Sequence, residues 1–283
     1  MNIYKDIETR TNGEIYIGVV GPVRTGKSTF IKRFMELMVL PAIADENNRK
    51  RAMDELPQSA AGKTVMTTEP KFIPKEAVEV LFEDGVHFKC RMIDCVGYMV
   101  QGAEGHEEDG KERLVKTPWF DYDIPFTKAA EIGTKKVIYD HSTVGIVVTC
   151  DDTISELDRS AYIQPETQTI QELKTLGKPF IVILNTRKPA SPETLELAQQ
   201  MEAEYGVGVL PINCDQLRKA DVVHIFEALL LDFPVTCVKF DIPKWVEALD
   251  MKDAIKQKIV EKTNQIFSQM YLMKDATNYA FVE

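Results

Sequence analysis

An α/β fold, with a mostly parallel sheet and helices on both faces, is predicted by three observations. Apolar, β-branched runs alternate along the chain with segments of helical periodicity. Residues 21–28 read GPVRTGKS, which fits the pattern G-x-x-x-x-G-K-[ST]. The same stretch follows an apolar run and precedes an amphipathic one, the strand–loop–helix context that such a loop needs. One tight turn, Glu83-Asp84-Gly85, adds an antiparallel hairpin strand to the sheet.

The elements follow in order. Ile15-Tyr16-Ile17-Gly18-Val19-Val20 reads as a buried strand, and Ser28 to Leu40 as a helix with Phe30, Ile31, Phe34, Leu37 and Met38 on its apolar side. Residues 41–62 are polar and charged, a loop or partly helical segment. Val78–Phe82 and Val86–Ile93 are the hairpin strands. Residues 97–125 are irregular, carrying Gly97, Gly102, Gly105 and Gly110 and the acidic cluster Glu104, Glu107, Glu108 and Asp109. So long a loop in a compact domain is functional or mobile more often than idle. Helices at Phe126–Tyr139, Gln164–Leu176, Ser191–Tyr205 and Ala220–Leu231 then alternate with strands at Val144–Cys150, Pro179–Leu184 and Val207–Asn213. From Phe233 the rhythm changes: a short strand, Thr236–Ile242, leads into a helical stretch to Met273. The expected organisation is a nucleotide-binding domain over 1–233 and the start of a strand-plus-helix extension over 234–283. Nothing in Phe281-Val282-Glu283 signals a terminus, so the chain is read as the front of something longer.

The loop predicts nucleoside triphosphate binding. Gly21 and Gly26 let the backbone bend so that N–H groups turn inward at a helix N-terminus. Val23, Arg24, Thr25, Gly26, Lys27, Ser28 and Thr29 complete the expected phosphate cradle. Lys27 would reach the β- and γ-phosphates, and the Ser28 hydroxyl would ligate Mg²⁺. Arg24 could reach the phosphates or stay in solvent. Phosphoryl transfer asks mainly for positioning and charge neutralisation, so three further parts are expected.

Asp94, ending the run Phe88-Lys89-Cys90-Arg91-Met92-Ile93, is placed to hold magnesium, and Asp94-Cys95-Val96-Gly97 matches D-x-x-G, where the Gly97 N–H can sense the γ-phosphate. Thr67-Thr68, between loop and hairpin, is expected to supply one hydroxyl to the metal, while its neighbour orients water or touches the γ-phosphate. Base reading should follow the strand Phe180–Leu184, where guanine-specific proteins place N-K-x-D. Here Asn185-Thr186-Arg187-Lys188 keeps the Asn and puts a lysine at the Asp position. An ammonium cannot accept a hydrogen bond from the guanine N–H groups. The layout is that of a GTPase without its guanine reader, and ATP is the expected nucleotide. Where many GTPases carry a water-orienting glutamine after D-x-x-G, this chain has Tyr98, with Gln101 further on. Hydrolysis is therefore expected to be slow, or to depend on Thr67, Thr68 or an arginine from a neighbouring subunit.

A net charge of −10 and a pI near 5.1 argue against a nucleic-acid binder. No apolar run has the length of a membrane span, and MNIYKDIETR is too polar for a signal peptide. The five scattered cysteines form no C-x-x-C pair, and the histidines are isolated; reduced core thiols in a cytosolic protein are expected rather than a metal site.

The stretches GVVGPVRTGKSTFIKRFMELMVLP, DELPQSAAGKTVMTTEPKFIP, DCVGY, TPWF, IPFTKAAEIGTKKVI and HSTVGIVVT resemble the stage IV sporulation protein A family, over most of residues 1–245. The resemblance implies a fold of the translation-factor-related GTPase class whose specificity has moved to ATP. It implies that Lys27 is the nucleotide-binding Walker lysine, Asp94 the Walker B aspartate, and Thr67 and Thr68 paired sensors needed for hydrolysis. It further implies hydrolysis-driven self-assembly into a static polymer, the basement layer of the spore coat. This polymer would lie in the mother-cell cytoplasm at the outer surface of the forespore. There a small amphipathic membrane-bound peptide would anchor it, and other coat proteins would be recruited onto it. Membrane association would thus be peripheral and indirect. Two other readings compete: a regulatory GTPase, such as a ribosome-assembly factor, and a small-molecule kinase. The missing aspartate weighs against the first, and the acidic 97–125 loop against the second.

Overall fold

The computed structural model describes residues 14–57, 69–81, 87–103, 105, 107–108, 111–235, 238 and 241–277. The chain divides into two units, Met1–Ala228 and Leu229–Glu283.

The first unit is built on a six-stranded sheet in the order β10-β9-β8-β1-β3-β2. Its strands are β1 (Glu14–Val20), β2 (Lys71–Leu81), β3 (His87–Asp94), β8 (Val144–Cys150), β9 (Phe180–Asn185) and β10 (Val209–Ile212). All pairs are parallel except β2 with β3. The central position of β8 and β9 explains their composition: every residue of VGIVVTC and of FIVILN is buried, as strands covered on both faces must be. One face packs Val137, Ile138, Ile170, Leu173, Ala198, Met201 and Tyr205 onto the sheet. These come from the segment after α3 (Phe126–Lys136), from α4 (Ser160–Leu176) and from α5 (Pro192–Tyr205). The helix following the loop is α1 (Lys27–Phe34), whose Phe34 ring lies 6.0 Å from Phe226 of α6 (Lys219–Leu231). α5 starts on Ser191, whose hydroxyl accepts from Thr194 N at 3.2 Å, and stops at left-handed Gly206.

Several elements differ from the sequence reading. The first helix leaves regular α geometry at Met35–Val39, a π turn, and ends in a 3₁₀ turn at Leu40–Ala42. The polar segment holds α2 (Glu46–Asp54), capped by the Asp45 carboxylate accepting from Asn48 N at 2.7 Å. It buries only Ala52, so no apolar stripe announced it. β2 begins at Lys71 rather than Val78; a register shift between Ile73 and Val78 carries Pro74 through the strand, where the ladder would otherwise lack a donor. The turn at 83–85 lies outside the described residues. The 97–125 stretch contains the short ribbon β4 (Glu107–Glu108) with β5 (Lys111–Glu112), and the hairpin β6 (Leu114–Thr117) with β7 (Phe120–Pro125). α3 stops at Lys136 and gives way to a π turn, Val137–His141. α4 starts four residues before the expected Gln164.

In the second unit, most of the expected strand Thr236–Ile242 lies outside the described residues, and Val238, Asp241 and Ile242 belong to no strand. The single helical stretch is three helices: α7 (Lys244–Glu247), α8 (Ala254–Phe267) and α9 (Met273–Thr277). Asp253 caps α8, accepting from Ile255 N at 2.8 Å, which is why a new helix starts there. No described helix is long and apolar enough to cross a membrane.

Candidate nucleotide-binding site

The site is built where parallel strands β1, β3 and β9 end. β1 stops at Val20, and Gly21–Gly26 turns the chain into α1, whose first helical residue is Lys27. Gly26 sits in the left-handed region at φ 96°, and a Cβ there would lie 2.3 Å from Asn185 Nδ2. Only glycine allows both the turn and this approach. Arg24, exposed, is the non-glycine residue with positive φ among those described, at 63°. Holding an arginine there is costly, as is common in loops shaped for a ligand.

Lys27 is 5% exposed, and its Nζ donates to Pro22 O across the loop. Burial pushes its ammonium below the ordinary lysine value, while the Asp94 carboxylate pulls the other way. A triphosphate would add further compensating charge beside this buried cation. Asp94 ends β3 beside it. Its Oδ2 accepts from Ser28 Oγ at 3.0 Å, and its Oδ1 is buried without a hydrogen-bond partner among the described residues. Burial raises the Asp94 carboxyl above the usual range, opposed by Lys27 and by the Ser28 hydrogen bond. Gly97, at φ 95°, closes over the loop: a Cβ there would lie 2.1 Å from Gly21 O and 2.6 Å from Lys27 Nζ.

Not every expected cradle residue offers a group to phosphate. The Val23 N–H is bonded to Tyr98 O at 2.9 Å, and the Val23 side chain packs with Val100, Ala103, Cys150 and Tyr162. Thr25 is fully buried, its hydroxyl donating to Pro22 O at 3.0 Å. Thr29 is half-buried on the first turn of α1. Asn185 is 3% exposed and faces the loop: Nδ2 donates to Thr25 O at 2.9 Å while Oδ1 accepts from Cys214 N at 3.1 Å. It fastens the phosphate loop to the end of β9 and to the turn after β10. Lys188 is exposed and borders a cavity of about 290 Å³ with Asp151, Asp152, Thr153 and the first turns of α5. Thr67 and Thr68 lie outside the described residues. Tyr98, read from the sequence only as a missing glutamine, is 4% exposed and its hydroxyl donates to Glu172 on α4. Its partner is 74 residues away in sequence, and no local pattern carried that signal.

The family model described as "Stage IV sporulation protein A, ATPase domain" matches residues 1–234, and the one for the middle domain of the same protein matches residues 235–282. Among curated relatives, "Stage IV sporulation protein A" of Clostridioides difficile (strain 630) is 53% identical over 274 residues, 97% of this chain and 56% of the relative. The proteins of that name from Bacillus anthracis and Bacillus subtilis (strain 168) are each 48% identical over 275 residues, with the same coverage. The chain thus spans about half the length of these relatives. Among solved structures, a mutation variant of SsGBP superposes with a TM-score of 0.44 at 15% identity, covering 81% of this chain and 60% of that one.

Proposed function

Because this chain belongs to the stage IV sporulation protein A family, we propose that it binds and hydrolyses ATP at the Gly21–Thr29 loop, and that hydrolysis drives self-assembly of the spore-coat basement layer. The observation that carries the nucleotide reading is the convergence of Lys27, Ser28, Asp94 and Gly97 on one loop, with a buried cation at its floor. Residues 1–234 are the family's ATPase domain, which favours this reading over a regulatory GTPase.

Lys27 would neutralise charge developing between the β- and γ-phosphates, and the Gly97 N–H would meet the γ-phosphate. Mg²⁺ fits the residues present: a hydroxyl and a carboxylate lie side by side, and one buried carboxylate oxygen has no hydrogen-bond partner among the described residues. Ser28 and Asp94 would hold the ion, with Thr68 as a further ligand. When bound, it would offset the negative charge of the phosphate oxygens. Thr67 and Thr68 are the proposed sensors that align water. Lys188 stands where a guanine-reading carboxylate would be, so adenine is accepted by default of that check.

The finer fold class proposed is the translation-factor-related GTPase class; the antiparallel β2 beside the Asp94-bearing β3 supports it. Residues 1–233 would be the catalytic domain and 234–283 the start of the middle domain. The partners proposed are further copies of the chain, a small amphipathic membrane-bound anchoring peptide and other coat proteins, at the forespore surface in the mother-cell cytoplasm. Sedimentation of the full-length protein tests the whole. ATP should drive it into the pellet, whereas Lys27→Ala protein, unable to bind nucleotide, stays in the supernatant. Equal pelleting of both would refute the link between hydrolysis and assembly.

A further inference from the structure

Tyr98 is tied down at both ends. Its main chain runs parallel to the phosphate loop: Tyr98 N donates to Gly21 O at 3.3 Å, and Val23 N donates to Tyr98 O at 2.9 Å. Its ring enters the core between sheet and helices, among Val20, Ile93, Val147 and Leu173. There the hydroxyl reaches Glu172 Oε2 on α4. Glu172 is itself held: Gln168 Nε2 donates to its Oε1 at 3.3 Å, and Lys135 Nζ of α3 stands 4.0 Å away while bonding Glu131. Gly97, the residue closing over Lys27, is the immediate neighbour of this anchor, so its position is set by what holds Tyr98.

We infer that Tyr98 and Glu172 form a positioning pair that fixes Gly97 over Lys27. In this chain a core anchor, rather than a water-facing side chain, occupies the place after D-x-x-G. Tyr98 is buried, with its hydroxyl spent on Glu172 and its ring in the core, so it acts through Gly97. The pair links the Gly97 segment to α3 and α4, which lie outside the phosphate loop. Burial and the Glu172 carboxylate both raise the Tyr98 phenol far above its ordinary value, so it stays a donor throughout the working range of pH.

The inference rests on the ATP-hydrolysis reading above, and the experiment separates the two. ATP turnover of the full chain is measured as kcat and KM, with kcat expressed per site from the stoichiometry of tight nucleotide binding. That normalisation removes losses due to misfolded protein. Tyr98→Phe keeps the ring and loses the anchor. Its kcat per site should fall about tenfold with KM within about twofold, since misplacing a reacting geometry by about 1 Å costs up to about 10²-fold. From the other side, Glu172→Leu should reproduce that loss, while Glu172→Gln, which keeps an acceptor, should recover most of it. If Tyr98→Phe does not fold, the Glu172 variants decide alone. Unchanged kcat per site in Tyr98→Phe or Glu172→Leu, or equal losses in Glu172→Gln and Glu172→Leu, would overturn the inference. A parent chain that binds ATP without turning it over would overturn the hydrolysis reading and this inference with it.

Discussion

Asn185 shows how a residue can shape a site through bonds inside the protein. It donates to Thr25 O and accepts from Cys214 N, both inside the protein. Asn185→Ala would leave a buried N–H and a buried carbonyl without partners, at about 1–3 kcal/mol for each unsatisfied group. The expected outcome is a lower denaturation midpoint together with at least tenfold weaker ATP binding, read by urea unfolding and nucleotide titration. Weaker binding with an unchanged midpoint would mean that Asn185 contacts the nucleotide directly. The loop itself was legible in the sequence because GPVRTGKS states its backbone requirement locally. The roles of Val23, Asn185 and Tyr98 were not, since each depends on a partner distant in the chain: Tyr98 for Val23, Thr25 and Cys214 for Asn185, Glu172 for Tyr98.

At the scale of elements, the packing of α4 on α5 encloses a charged pair. Glu166 is fully buried; its Oε1 accepts from Arg159 Nη2 and from the Tyr205 hydroxyl, both at 2.7 Å. Glu166 Oε2 and two guanidinium nitrogens of Arg159 have no hydrogen-bond partner among the described residues. Such a pair adds little net stability, yet breaking it strands a charge. Glu166→Ala should therefore cost about 3–5 kcal/mol in urea unfolding, and the double variant Arg159→Met, Glu166→Leu should regain most of that. A cost under about 1 kcal/mol for the single variant would contradict this account. The sequence exposed elements to the degree that they bury apolar faces. β8 was read to the residue because both of its faces are covered. α2 was read only as part of a loop or partly helical segment because it buries one alanine, and the β6–β7 hairpin was missed because it leaves Leu114 and Tyr122 in solvent.

For the whole molecule, the thiols set an alkaline limit. Burial pushes Cys90 and Cys150 up to about 12 and Cys95 up to about 11, from an ordinary 9.0. The folded state then holds these protons where the unfolded chain releases them, so stability is intact below pH 9 and falls as pH rises toward 11–12. The slope should approach about 1.4 kcal/mol per pH unit for each such thiol, read from urea unfolding at stepped pH. A flat profile above pH 9 would mean that the thiols are solvated.

Purine selection turns on a single side chain. Lys188 replaces the acceptor that a guanine base requires, at the end of a strand whose neighbouring Asn185 is kept for holding the loop. The most direct measurement is competition at equilibrium: labelled ATP bound to this chain, challenged with excess unlabelled ATP or GTP. Displacement by ATP and retention against GTP are expected. Displacement by GTP at equal or lower concentration would contradict this selection.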